Sequence, residues 1–316
     1  MLNRTYKRKI SVITIIVYLC IGLFILNTQA TILYVDKNAD TEGTGTSTNP
    51  YNAIQKAIDN ASNMDTINVR AGIYIEDLVI DGKGIKIVGE HPEKTTIKGA
   101  KNTILIQGLF SSPDNVVEIS GFTISDAVEK GIGVNSSSVR AYVHNNIISY
   151  NHEGLHITDS VVTIASNNTI VKNSLRGLYL HGGILNIYNN IFFNNIQSIY
   201  RNSGDVNAYN NNFDSQPSDY RKVYIDNINV PPLFVNADSG DFRLKENSPS
   251  IDAGRKIASD RDPDGTRNDQ GVYGGPGAAA FWPKSAGGPV VTECIVTPYS
   301  VSKDGTISLR AKAKMP

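Results

Sequence analysis

The chain of 316 residues has two cysteines, Cys20 and Cys294, a single tryptophan and three methionines. So few cysteines exclude a disulfide framework, and stability has to come from apolar burial and backbone ladders. An excess of charge is missing too: 30 basic residues cancel 30 acidic ones, and no basic field is available for nucleic acid. Long apolar runs are absent except for one of 17 residues, Ile10 to Leu26. It follows MLNRTYKRK, which carries four basic and no acidic side chains, and NTQA then ends on Ala30. A basic start, an apolar stretch and a small residue read as a secretory signal peptide over residues 1–30. The run is also near the lower limit for a membrane span, so an uncleaved anchor through residues 10–26 is the alternative. Cys20 lacks the preceding small residue of a lipobox. Without residues 1–30 the chain has 26 basic and 30 acidic residues, a net charge of −4, and only Cys294.

What is abundant is asparagine, in pairs. HNNII at Asn145, SNNTI at Asn167, YNNIF at Asn189 and YNNNF at Asn210 are spaced by 22, 22 and 21 residues. Glycine followed by alternating apolar residues returns as GIGV from Gly131, GLHI from Gly154 and GLYL from Gly177, with SIYR from Ser198 in phase. A third register, Asn151, Asn173 and Asn195, is spaced by 22 and 22. Between these markers lie short strand-like runs such as VVTIA (161–165), NTIV (168–171) and GLYL (177–180), none with a helical period. A repeat of this length made of short strands matches a parallel β-solenoid, whose coils stack about 4.8 Å apart and bring equivalent residues into columns. Asparagine at a tight turn then bonds its neighbours up and down the stack.

With these registers the chain resembles the right-handed parallel β-helix proteins of the pectate-lyase-like superfamily, which implies three sheets per coil and a solid apolar interior. The segment from YVDKNADTEGTG to IKIVGE resembles the opening of bacterial extracellular members. Within it, NPYNAIQKAIDNA places Ala53, Ile54, Ala57, Ile58 and Ala61 on one stripe, an amphipathic helix able to cover the first coil. PPLFVNADSGDFRLKENSPSIDAG and DRDPDGTRNDQGVYGG resemble the closing segment of such proteins. The expected organisation is an N-terminal strand and capping helix over 31–62, β-helix coils over 63–226, an irregular C-terminal cap over 227–280, and a linker with the first strands of an Ig-like module over 281–316.

Because residues alternate in and out along a strand, outward positions can be read as columns. Lys130, Glu153, Arg176 and Gln197 form one; Gly133, His156, Tyr179 and Tyr200 a second; Asn135, Thr158, His181 and Asn202 a third. Tyr179, Tyr200, His156 and His181 offer flat surfaces to sugar rings, with Arg176 and Glu153 bonding hydroxyls or carboxylates. The same residues equally make an exposed stacking and salt-bridge ladder. A polyuronate lyase needs a cation against the substrate carboxylate and a base of lowered pKa for the α-proton. Lys172, Arg176 and His156 are the candidates. The aspartates, Gly-His-Gly and Arg-x-Lys of polygalacturonases are absent.

DRDPDGTRND places Asp260, Asp262 and Asp264 at alternate positions before Gly265, with Asp269 following, a spacing that suits a calcium loop. Gly271 stands where the bidentate glutamate belongs, and a turn in which aspartates pair with Arg261 or Arg267 is the competing reading. The expectation is a secreted or cell-surface bacterial monomer that binds, and as a lyase or hydrolase would cleave, an extracellular acidic polysaccharide. The alternative is a non-catalytic adhesion or spacer protein.

Overall fold

The computed structural model describes residues 30–39, 43–112, 115–214 and 223–282, and the backbone of the antiparallel strands Val290–Thr297 and Ser308–Lys314. The expected signal peptide, and most of the expected linker and Ig-like start, lie outside the described residues. Runs of two to seven residues, rich in Ile, Val and Thr and broken by Asn or Gly, form parallel strands in three sheets of nine, six and seven strands. Each coil visits the sheets in turn, as with Arg140–His144, Ile147–Ser149 and Glu153–Asp159. This is a right-handed parallel β-helix.

Stacking places like over like. Inward columns run through Ile87, Ile119, Val143, Ala165 and Ile187 in the nine-stranded sheet. Ile97, Ile124, Ile148, Ile170 and Phe192 do so in the seven-stranded sheet, and Ile104, Ile132, Leu155, Leu178 and Ile199 in the six-stranded one. All are buried in one continuous core. The glycine register marks close approach between coils: a Cβ on Gly154 would lie 2.6 Å from the Gly177 carbonyl oxygen.

The two asparagines of each pair do different work. Asn146, Asn168, Asn190 and Asn211 point inward and form the ladder. Asn168 donates through Nδ2 to Val143 O (2.8 Å) and Asn190 Oδ1 (3.0 Å), while its own Oδ1 accepts the Asn146 backbone N–H at 3.1 Å. Asn227 continues the column below Asn211. Asn151, Asn173 and Asn195 make a second ladder at the next corner. The first members, Asn145, Asn167, Asn189 and Asn210, occupy the left-handed region at φ 51, 51, 60 and 52°. They face outward and bind the C-terminal segment.

Helix α1 (Ile54–Asn60) buries Ile54, Ala57 and Ile58 against the first coils. Its first backbone N–H groups donate to the Glu76 carboxylate, and Lys83 Nζ donates to the carbonyls of Ile58 and Ala61, both at 2.9 Å. Both ends are therefore satisfied from outside the helix. The expected closing segment over 227–280 takes a specific form. It turns back along the flank, and Asn210, Asn189, Asn167 and Asn145 meet Ala253, Arg255, Asp269 and Val272 in succession. Phe234, Phe242, Val272, Tyr273 and Phe281 cover Ile147, Val171 and Ile191 on the outside of the seven-stranded sheet.

Candidate functional site

The strands Glu153–Asp159, Arg176–Leu180 and Gln197–Arg201 of the six-stranded sheet set the outward columns in register. Glu153 pairs with Arg176 and Gln197, and His156 with Tyr179 and Tyr200. The third column is altered by a bulge after Val134, so Asn135 pairs with Asp159 and Thr158 is the extra residue. His181 follows the strand end, and its Nδ1 lies 2.7 Å from Asn202 Nδ2.

Glu153 organises this face. The residue is 6% exposed; one carboxylate oxygen accepts from Arg176 Nη1 and the other from His156 Nδ1. Burial alone would raise the Glu153 carboxyl, but the bonds from His156 and Arg176 outweigh it and hold it below the usual carboxylate range. Since a carboxylate only accepts, the His156 proton sits on Nδ1, which leaves Nε2 as the nitrogen able to accept. The Arg176 guanidinium lies 4.3 Å from the Tyr200 ring centroid and 5.1 Å from that of Tyr179, a cation–π arrangement. Tyr179 and Tyr200 stack at 5.7 Å and 6°, and His156 lies 4.4 Å from Tyr179. The structure thus brings together Glu153, His156, Arg176, Tyr179, Tyr200 and His181.

Lys172 does not join them. It directly follows Val171 in the left-handed region, which sends its side chain to the flank. There Nζ donates to Ala237 O (2.7 Å), Tyr150 Oη (3.2 Å) and Asp238 Oδ1 (3.3 Å). Burial lowers the Lys172 pKa, but these bonds raise it further, so the net shift is upward and opposite to what a general base needs.

The aspartates expected at a calcium loop are spent separately. Asp260 pairs with Arg255, Asp264 accepts from Thr266, and Asp262 accepts the backbone N–H groups of Gly275 and Asp269. Asp269 accepts from Asp252 N at 2.7 Å. Arg261 and Arg267, the partners expected in the competing reading, donate instead to the carbonyls of Gly265 and Gly254. Among the described residues no three His, Cys, Asp or Glu side chains converge as a metal site.

Stacked parallel strands in three sheets, closed by α1 and flanked by an irregular C-terminal segment, define a right-handed parallel β-helix protein. Residues 12–226 match the family described as periplasmic copper-binding protein (NosD), and the chain belongs to that family. Among solved structures it is similar to the pectate lyase Pel9A, with 13% identity over 78% of this chain and 96% of that one and a TM-score of 0.41. It is also similar to a pectin methylesterase variant in complex with a hexasaccharide, with 13% identity, 62% and 80% coverage and a TM-score of 0.32. No curated protein matches the chain. The donors that copper favours are imidazole, thiolate and thioether. Of the five histidines, His144 lies against Glu118, His152 against Ser174, His156 against Glu153, His181 against Asn202 and His91 against Phe281, and Met64 is exposed. The described residues therefore do not fit a copper centre.

Proposed function

We propose that the outer face of the six-stranded sheet binds an extracellular acidic polysaccharide without cleaving it. The observation that carries this reading is the Arg176 guanidinium laid over Tyr179 and Tyr200, beside His181, in a row that runs from coil to coil. A repeating polymer presents carboxylates and ring C–H faces at intervals, and a column of cation and aromatics suits it. Binding without cleavage is supported by how the candidate catalytic groups are used. Lys172 is held on the flank with its pKa raised, and Arg176 Nη1 and His156 Nδ1 are bonded to Glu153, so only the outer part of the guanidinium and His156 Nε2 are left toward a ligand. The leader-like residues 1–30 and the periplasmic description of the family support a protein working at the cell surface or in the periplasm.

One observation favours the spacer reading. Tyr179 and Tyr200 cover each other's ring faces, as a purely structural ladder does. Affinity electrophoresis on polygalacturonate and alginate, with ultraviolet absorbance for unsaturated sugar ends, separates the readings. Retardation that Tyr200→Ala abolishes, without new absorbance, is the expected result. New absorbance makes the protein a lyase, and no retardation on either polymer leaves the spacer.

A further inference from the structure

The C-terminal segment gathers basic side chains in one place. Arg255, Lys256, Arg261 and Arg267, together with Ile257 and Ala258, line a groove of about 390 Å³. That size is ordinary for a small-molecule site. Beyond residue 30 the chain carries more acidic residues than basic ones. Four cations and no acid among the lining residues are therefore a local arrangement and not a consequence of composition.

The acids of the same segment are bonded elsewhere or to one cation only. Asp260 accepts from Nε and Nη2 of Arg255. Asp262 accepts the backbone N–H groups of Gly275 and Asp269, Asp264 accepts from Thr266, and Asp269 accepts the Asp252 N–H. Arg267 is held by neutral groups instead, with Nε donating to Gly254 O (2.6 Å) and Nη2 to Ala253 O (3.1 Å). Arg261 Nη1 donates to Gly265 O at 2.6 Å. Among the described residues, Lys256, Arg261 and Arg267 form no ion pair. Three of the four positive charges in the groove are thus uncompensated.

Two of the guanidiniums are also fixed in place. That of Arg255 lies 3.6 Å from the ring centroid of Tyr188, at the end of the strand Ile184–Tyr188, and its backbone N–H donates to Asn189 Oδ1 at 2.8 Å. Arg267 is tied to two successive carbonyls. A planar fork already oriented loses little freedom when it bonds an oxyanion. Lys256 and Arg261 are exposed beside them and add charge that can adjust to a ligand. Three uncompensated cations exceed what a single carboxylate neutralises and suit a dianion, and guanidinium geometry matches the oxygens of phosphate. Ile257 and Ala258 give the groove an aliphatic wall.

We infer that this groove is an anion site for a phosphate group, either the free ion or the phosphate of a small molecule whose carbon part rests on Ile257 and Ala258. It lies by the corner after Tyr188, apart from the six-stranded face. The inference rests on the groove alone and stands whether or not that face binds a polymer.

The test is calorimetric titration of the full-length chain at low salt with inorganic phosphate and glucose 6-phosphate, and with glucose and galacturonate as the neutral and singly charged counterparts. At least one phosphate probe is expected to bind, with galacturonate at least tenfold weaker and glucose not at all. Tighter binding of glucose 6-phosphate than of the free ion identifies a phosphorylated small molecule, and equal binding identifies phosphate itself. The K256A/R261A double variant is expected to weaken phosphate binding at least tenfold with little change in the thermal midpoint, since both residues are exposed. Arg267→Lys, which keeps the charge and loses the fork, gives an independent loss of affinity should the double variant fail to fold. Tyr200→Ala is expected to leave phosphate binding unchanged. Absence of binding by both phosphate probes overturns the inference. So does galacturonate binding as tightly as either of them, undiminished affinity in a folded K256A/R261A protein, or phosphate binding that Tyr200→Ala abolishes.

Discussion

A single asparagine column shows how much one side chain decides. Asn168 is fully buried and satisfies the backbone of two neighbouring coils, so Asn168→Leu, nearly equal in size, leaves those groups unpaired in the interior. The expected loss is about 1–3 kcal/mol in urea unfolding. Asn167 next to it plays another part. Its Nδ2 donates to Asn268 Oδ1 (2.8 Å) and Asp269 O (2.9 Å) on the C-terminal segment. Asn167→Gly keeps the left-handed turn and is expected to cost less, about 1–2 kcal/mol, while making the segment after residue 245 an early target in limited proteolysis. Equal losses with no change in proteolysis would mean that the two asparagines do not divide the work. The ladder was legible in the sequence because coil spacing equals repeat spacing, so equivalent residues are stacked neighbours. The division within each pair was not, because both members occupy the same turn and only their φ angles separate inward from outward. The same effect misplaced Lys172. It lies four residues from Arg176, but it is itself the left-handed residue at the corner, which sends its side chain to the flank.

At the scale of elements, the C-terminal segment is held by buried acids as well as amides. Burial is the largest influence on Asp262 and pushes its pKa up to about 7, and Asp269, raised by burial and by Asp252 and Asp264, reaches about 6. The ordinary value is 3.8. Between that value and the raised ones the folded state binds more protons than the unfolded chain, so this contribution to stability is full below pH 4 and is lost as pH rises through about 7. Opposing it, hydrogen bonding by His144 outweighs burial and, with Lys86, lowers Glu118 to about 2, which contributes stability at neutral pH that fades on acidification below about 4.5. The expected outcome is a thermal midpoint that declines from pH 5 to pH 8, with a slope that Asp262→Asn flattens. A midpoint that rises over that range would show that the pair is ionised without cost. The DRDPDGTRND motif was visible in the sequence, but its role was not, since an irregular segment carries no period to reveal what it lies against. By contrast the columns of Glu153, Arg176, His156, Tyr179 and Tyr200 were readable from repeat phase. Only the bulge at Asn135 displaced one, by shifting Thr158 out of register.

For the molecule as a whole, a solenoid is a sum of coils and nearest-neighbour contacts, and the returning C-terminal segment departs from that scheme. It touches coils from Asn145 to Asn210 at once and covers Ile147, Val171 and Ile191, each nearly inaccessible to solvent. Each such side chain returned to water costs about 1.5–3 kcal/mol. Their sum is then on the order of 5 kcal/mol, comparable with the whole stability of many domains. Ending the chain at Lys245 should therefore do more than shorten it. The coils from about residue 140 to 213 lose the part of their outer cover supplied by Val272, Tyr273, Ala278 and Phe281, and the partners of their left-handed asparagines, while the N-terminal coils over Thr66–Gly89 and α1 keep all of their contacts. Hydrogen exchange of the truncated chain is expected to show early opening of the strands Ile147–Ser149, Thr169–Val171 and Ile191–Phe193, with the N-terminal coils protected as before, and the exposed apolar face should bind a hydrophobic dye. A truncated chain that exchanges and unfolds like the full one would mean that stacking alone sustains the coils, leaving the flank segment no part in stability.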